Sequence, residues 1–253
     1  SYEVIIPAKY ENAKAFSEGL AAVKQNGKWG FIDESGKTVI PFEYGYAFQF
    51  SEGLAVVGTA TQFEAEVPVG EPDEYGYYEE YEYKLTDGYL WYVIDKENNR
   101  KPLMYWEESD EGRINKQAQV ACAGFEEDLN PAVYYHNGYV NMGGYMTCDG
   151  WAPTKVFDRN GQQVELGDYS IEGCFNEGLF AAYEVATLNG CYLDQDGKVV
   201  LSFADGQDYY LRPFNQGLAP LSVYNWETGE SLWGFINKDG KMVIAQQYVD
   251  FYV

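Results

Sequence analysis

FSEGLAAV, residues 16–23, followed closely by KWGFIDESGKTVIP, residues 28–41, decides the fold of this chain. LAAV from Leu20 reads as a short strand, and WGFID from Trp29 alternates large and small side chains as a second strand does. DESG from Asp33 is tight-turn sequence: an Asp side chain accepts hydrogen bonds from nearby backbone amides, and Gly36 tolerates the left-handed position. TVIP from Thr38 supplies a third strand. One unit is therefore expected to be a three-stranded antiparallel meander.

Outward from this stretch the same two phrases recur in the same order. FSEGLAVV begins at Phe50, FNEGLFAA at Phe175 and FNQGLAPL at Phe214, with a weaker copy, FEEDLNPAV, at Phe125. LWGFINKDGKMVIA begins at Leu232, and degenerate forms begin at Leu90 (LWYVIDKENNRKPL), Thr154 (TKVFDRNGQQVEL) and Gly190 (GCYLDQDGKVVLSF). Five copies make an all-β chain with one repeat domain over residues 1–253. The units fall at about 16–49, 50–124, 125–174, 175–213 and 214–253, and residues 1–15 form a tail strand or cap. Trp29, Trp91 and Trp233 occupy one repeat position and are expected to stack against the following unit. A meander this short cannot bury a face alone, so units must pack side by side. Two units carry insertions, at about 59–88 and 134–153; in the latter, AVYYHNGYVNM reads as a hairpin turning at Asn137-Gly138.

Composition narrows the function. Forty acidic residues against seventeen Lys and Arg give a net charge of −23, which repels phosphate backbones and anionic surfaces and excludes nucleic acid as a partner class. No stretch reaches the roughly 18 apolar residues of a membrane-spanning helix, so no membrane insertion is expected. No signal peptide is visible, which excludes nothing because the chain opens at Ser1 inside a strand-like run. Cys122, Cys148, Cys174 and Cys191 form no CxxC pair; two disulfides and four free thiols both fit their spacing.

At the quoted phrases the sequence resembles the bacterial WG-repeat (KWG-repeat) family, through FSEGLAAV with GKWGFIDESGKTVIP and FNQGLAPL with LWGFINKDGKMVIA. Three units depart from the pattern, carrying Trp91-Tyr92, Thr154-Lys155 or Gly190-Cys191 where Trp-Gly is expected. The resemblance implies a propeller-like all-β repeat, with an open β-solenoid-like stack as the alternative, in exported or surface-associated bacterial proteins. It implies no reaction and brings no catalytic residues.

The residues themselves point the same way. His136 is the single histidine and sits beside a hairpin turn, so a Ser-His-Asp or Cys-His arrangement has nowhere else to form. Asp194-Gln195-Asp196-Gly197 superficially looks like part of a calcium loop but lacks its downstream glutamate and matches the turn of the other units. No catalytic residue, metal site or cofactor is expected. The candidate binding surface is the aromatic insertion bearing Tyr75, Tyr77, Tyr78, Tyr81, Tyr83 and Tyr89, interleaved with carboxylates. The expected function is a non-catalytic binding module with a protein, peptide or glycan ligand, extracellular or at the cell surface. A carbohydrate-active hydrolase using paired carboxylates and a purely structural spacer are the alternatives.

Overall fold

The computed structural model describes residues 4–71, 80–108, 114–119, 121–122, 135–142, 146–147, 150–151, 155–203 and 206–249. Every regular element among them is a strand, and no sheet closes into a barrel. The chain divides into two compact units, Ser1–Gly138 with Phe157–Gln163, and Tyr139–Val156 with Val164–Val253.

In the first unit, Asn12–Ala13, Leu20–Gln25, Lys28–Asp33 and Thr38–Tyr44 form an antiparallel sheet in chain order. A second sheet runs from Tyr46–Ala47 through Leu54–Val69 and Glu80–Asp95, which pairs with both Arg100–Pro102 and Ala121–Cys122. The second unit holds two more four-stranded sheets. One comprises Tyr169–Asn176, Leu179–Glu184, Gly190–Leu193 and Val199–Phe203; the other comprises Tyr209–Leu211, Leu218–Asn225, Glu230–Asn237 and Met242–Tyr248.

Each four-stranded sheet thus has one strand more than the three expected and the second sheet has two more, and the Glu-Gly step explains the outer strand that precedes it. Ser17 N donates to Leu20 O at 2.9 Å and Leu20 N to Ser17 O at 3.0 Å, so the phrase is itself a two-residue hairpin turn. It folds the preceding residues back as an outer strand. Both turn residues are left-handed, Glu18 and Gly19 at φ 52° and 82°, as a type I′ turn requires. Glu52-Gly53, Glu177-Gly178 and Gln216-Gly217 repeat the geometry, and so does Asn137-Gly138. The expected hairpin turn at Asn137-Gly138 is therefore present, and the third copy of the Glu-Gly turn lies there. The Phe125 phrase falls outside the described residues.

Glutamate is a costly first residue for such a turn, since a Cβ is disfavoured at positive φ by about 1–2 kcal/mol. Its reach explains the choice. Glu18 Oε2 accepts from Gly53 N at 2.9 Å, and Glu177 carboxylate oxygens accept from Gly217 N at 3.0 and 3.1 Å. Glu52 accepts from Asn137 N at 2.5 Å and Gly138 N at 2.8 Å. Each carboxylate binds the outward N–H of the next turn in its own unit.

A cation completes the clamp. Lys96 Nζ lies 2.9 Å from Glu18 O and 3.3 Å from Oε2; Lys238 Nζ lies 2.8 and 3.3 Å from the same atoms of Glu177. Arg159 does likewise to Glu52, through Nη2 to its carbonyl at 2.6 Å and Nη1 to Oε2 at 3.1 Å. All three cations sit second in the Asp/Asn turn. That turn is the same in every copy: the Oδ1 of Asp33, Asp95, Asp158, Asp194 and Asn237 accepts from the backbone N–H two and four residues on. Asp194 therefore serves turn geometry, in line with the turn reading of its sequence.

The Trp-Gly step has a different cause. Trp29 pairs with Tyr44 and Phe31 with Ile40, so Pro41, Phe42 and Glu43 bulge opposite the single residue Gly30. The last sheet repeats this with Trp233 opposite Tyr248 and Phe235 opposite Ile244. A Cβ on Gly30 would lie 2.8 Å from Ile40 O, and one on Gly234 would lie 2.6 Å from Ile244 O. Where the glycine is lost, the three-residue bulge opposite it is lost too: Tyr92 faces Pro102 in an unbroken ladder, and Cys191 faces Ser202 with its neighbours in step, the one register shift coming later, between Tyr192 and Leu193.

Sheets within a unit stack face to face, the relation from which propeller blades are built. Trp29, Phe31 and Tyr44 pack on Ala47, Phe50, Ala55 and Val57 of the second sheet. In the second unit Tyr192 and Ala181 pack on Leu211, Phe214 and Ala219. The exchange is compensatory. Trp29 faces small Ala47, whereas Gly190, at the tryptophan position, has Leu211 Cδ1 only 2.8 Å from where its Cβ would be. Trp29 and Trp91 are fully buried, both against Tyr46 and Trp91 also against Phe48 and Tyr89, so the partners of Trp91 precede it rather than follow it, while Trp233 is half-buried beneath the Arg212 guanidinium at 5.5 Å.

Gly30→Ala should cost about 1–3 kcal/mol, because backbone rather than a flexible side chain must move; urea denaturation of the variant reads this. Glu177→Asn tests the clamp, since it relieves the turn but is too short to reach Gly217. The Gly217 N–H and Lys238 hold the Glu177 carboxyl below its ordinary value of 4.5. A lowered folded-state pKa contributes stability that is present above the unfolded value and lost as pH falls through the folded one. The variant should therefore melt below the wild type at neutral pH, and the gap should close on acidification below about pH 4.5. A gap that persists unchanged at acid pH would place the effect elsewhere.

Candidate functional site

Hairpins that outgrow the repeat provide the surfaces available for function. In the second sheet the two long strands pair continuously from Leu54↔Asp95 to Val69↔Glu80. Beyond Ala60 and Tyr89 the pair runs on without another strand beside it among the described residues. Nine residues per strand at about 3.3 Å each make an arm of roughly 30 Å.

The aromatic residues expected to form one surface are divided by this architecture. Tyr83 is 74% exposed on the arm, beside Leu85 at 68% on the same face, and Tyr81 is half-buried. Tyr89 sits at the arm's root, where its ring packs 6.1 Å from Tyr46 and 5.6 Å from Trp91. Gly45 and Gly58 make room for it: a Cβ on either would come within 2.4 or 2.9 Å of Tyr89. Tyr89 thus packs in the sheet interface. Tyr75, Tyr77 and Tyr78 lie outside the described residues.

A second extension is better formed. In the first sheet 12 residues intervene between paired Leu20 and Asp33; in the last sheet 18 intervene between Leu218 and Asn237. The surplus forms the tip Asn225–Glu230. Asn225 Oδ1 accepts from Glu227 N at 2.9 Å and Thr228 N at 3.2 Å, and Gly229 N donates to Asn225 O at 2.8 Å. These bonds hold Trp226 out from the hairpin.

Trp226 is 78% exposed, yet it is pinned. Its Nε1 donates to Asp208 Oδ2 at 2.7 Å, and its ring meets Tyr224 edge-on at 4.8 Å and 83°. It borders a groove of about 580 Å³, within the range of ligand sites. Asp208, Glu227, Glu230 and Gln246 also line it, and the described lining residues include no Lys, Arg or His. Gln246 Nε2 is buried there without an acceptor. A buried donor left unmet costs about 1–3 kcal/mol, and this one lies beneath the groove rather than open to it.

Other reactive groups lie elsewhere. Cys174 and Cys191 are free thiols, and burial pushes the Cys191 thiol up to about 11, away from reactivity. His136 is half-buried beside the Asn137-Gly138 turn. Among the described residues no cluster of His, Cys, Asp and Glu is arranged to hold a metal ion.

Sequence reading passed over Trp226 because it lies between repeat phrases and outside the repeat position of the other tryptophans. Its signal was the surplus hairpin length, with a tryptophan set among turn-forming Asn225, Thr228 and Gly229.

Comparison with known families bears on the scaffold. The family model described as a WG containing repeat matches residues 3–29, 29–58 and 233–252. No curated protein matches the chain. The matched segments contain both bulged glycines, Gly30 and Gly234. Between them, Glu177-Gly178 and Asp194 keep the turn geometry of the matched repeats.

Trp226→Ala should change stability by less than about 0.5 kcal/mol, as surface substitutions do, whereas Trp29→Ala should cost about 3–5 kcal/mol. Paired urea titrations check both, and acrylamide quenching should lose its most accessible component in the Trp226 variant alone.

Proposed function

We propose, from the WG containing repeat matched at residues 3–29, 29–58 and 233–252, that the chain is a non-catalytic binding module whose extended hairpins present a ligand surface on a rigid scaffold. The observation that carries the reading is Trp226: a large aromatic, mostly exposed, held in one orientation by Asp208 and Tyr224 over a groove. Trp29, Trp91, Phe50, Phe214 and Tyr192, by contrast, are buried. An indole kept in water and also kept still is the arrangement of a binding platform, because little entropy is lost when a ligand lands on it.

The ligand belongs among proteins, peptides and glycans, and the strong negative charge weighs against nucleic acid. An extracellular or cell-surface setting in a bacterium is part of the same reading, supported by the family resemblance. The arm bearing Tyr83 is a second contact surface of the same kind.

Glycan and peptide panels probed with the wild type, with Trp226→Ala and with a form lacking residues 61–87 test the proposal. Capture that depends on Trp226, without turnover of the captured ligand, is the expected result. Capture that survives Trp226→Ala but needs the arm would move the site to Tyr83. Hydrolysis of a captured glycan, or no capture at all, would overturn the reading.

A further inference from the structure

We propose that the Trp226 groove takes a basic peptide, seating a Lys or Arg side chain on the indole face with its charge against Glu227 and Glu230. This deepens the binding reading above and rests on it.

Two features of the groove select the same ligand. The first is the ring. Its Nε1–H is already spent on Asp208 at 2.7 Å, and the Tyr224 ring stands perpendicular to it with centroids 4.8 Å apart, so what the 78% exposed indole offers a ligand is open π-surface. That face carries the negative end of the ring quadrupole and attracts cations, with tryptophan the strongest of the aromatic side chains. The second is charge. Asp208, Glu227 and Glu230 are exposed, line one groove and take no part in an ion pair among the described residues. With no cation in the described lining and a net charge of −23 around it, the groove is a negative well open to solvent.

A neutral sugar would satisfy the ring but would leave the negative well unused. An anionic ligand would be repelled by it. A basic peptide answers both features at once.

Elsewhere cations already occupy aromatic faces of this chain, so the chemistry is native to the fold. Lys14 Nζ lies 4.7 Å from the Phe48 ring centroid and 4.9 Å from that of Tyr46, and the Arg212 guanidinium lies 5.5 Å from Trp233. Trp226 has no such internal cation among the described residues, and its ring stands open to an external one.

Calorimetric titration of the full chain with three probes tests the inference: hexalysine, hexalysine with every side chain acetylated, and the neutral sugar cellohexaose. Titrations run at about 150 mM salt, where the Debye length near 8 Å suppresses attraction to the remote acidic surface. Hexalysine should bind, the acetylated peptide should not, and affinity should fall about tenfold or more in Trp226→Ala and in the double variant Glu227→Gln/Glu230→Gln. Far-UV circular dichroism confirms that both variants fold. Hexalysine binding that ignores Trp226 would show diffuse charge attraction only and overturn the inference. Trp226-dependent binding of cellohexaose without hexalysine would overturn the ligand class while leaving the binding module intact. No Trp226-dependent binding of any probe would overturn both.

Discussion

A two-residue turn with both residues left-handed leaves an N–H aimed out of its own sheet, and the structure depends on what meets it. Here the acceptor is the carboxylate of the preceding turn: Glu18 for Gly53, Glu52 for Gly138, Glu177 for Gly217. Because the acceptor must cross from one sheet to the next, asparagine, the better local turn former, is too short, and glutamate is used in spite of its strain. The same carboxylate then needs a counter-charge, and Lys96, Arg159 or Lys238 supplies it from the neighbouring Asp/Asn turn. Each exposed ion pair is weak alone. Its value here is geometric, since the cation also binds the glutamate carbonyl and so fixes the turn as well as the charge.

The tryptophan and glycine of the repeat solve a separate problem. Stacked sheets must fill the space between them, and bulky aromatics do so only if the backbone that carries them can bend. Bulging three residues opposite Gly30 bends the strand that carries Tyr44 toward the next sheet, and the missing Cβ lets the bulge close. Where the strand runs unbulged, as opposite Cys191, a side chain fits. There the tryptophan has gone too, and Leu211 fills the space from the other side. Volume across the interface is kept although neither residue is.

Much of this was legible from the phrases themselves. Alternation and the Asp-x-x-Gly turn foretold the strands and their antiparallel order, and Asn137-Gly138 announced its hairpin. The outer strands Asn12–Ala13 and Tyr209–Leu211 were not legible, because they are short and carry no fixed pattern. They are recruited by the turn rather than by their own composition. Nor could spacing separate Tyr89 from Tyr83. Both belong to one tyrosine-rich run, and only the point at which the hairpin leaves its sheet decides that one packs under Trp91 and the other meets water.

Repetition also explains where function can reside. A residue at a repeated position packs against the adjoining sheet, so changing it disturbs an interface, as the paired loss of Trp and Gly shows at Gly190-Cys191. Residues added to a hairpin tip have no such counterpart and are free to vary without cost to the stack. The tip that carries Trp226 has spent that freedom on order. Its Asn225 cap, its bond to Asp208 and its edge contact with Tyr224 restrain an indole that the scaffold does not need. Under the proposed function that restraint prepares the indole for a ligand from outside, and the acidic residues beside it favour a cation in that role.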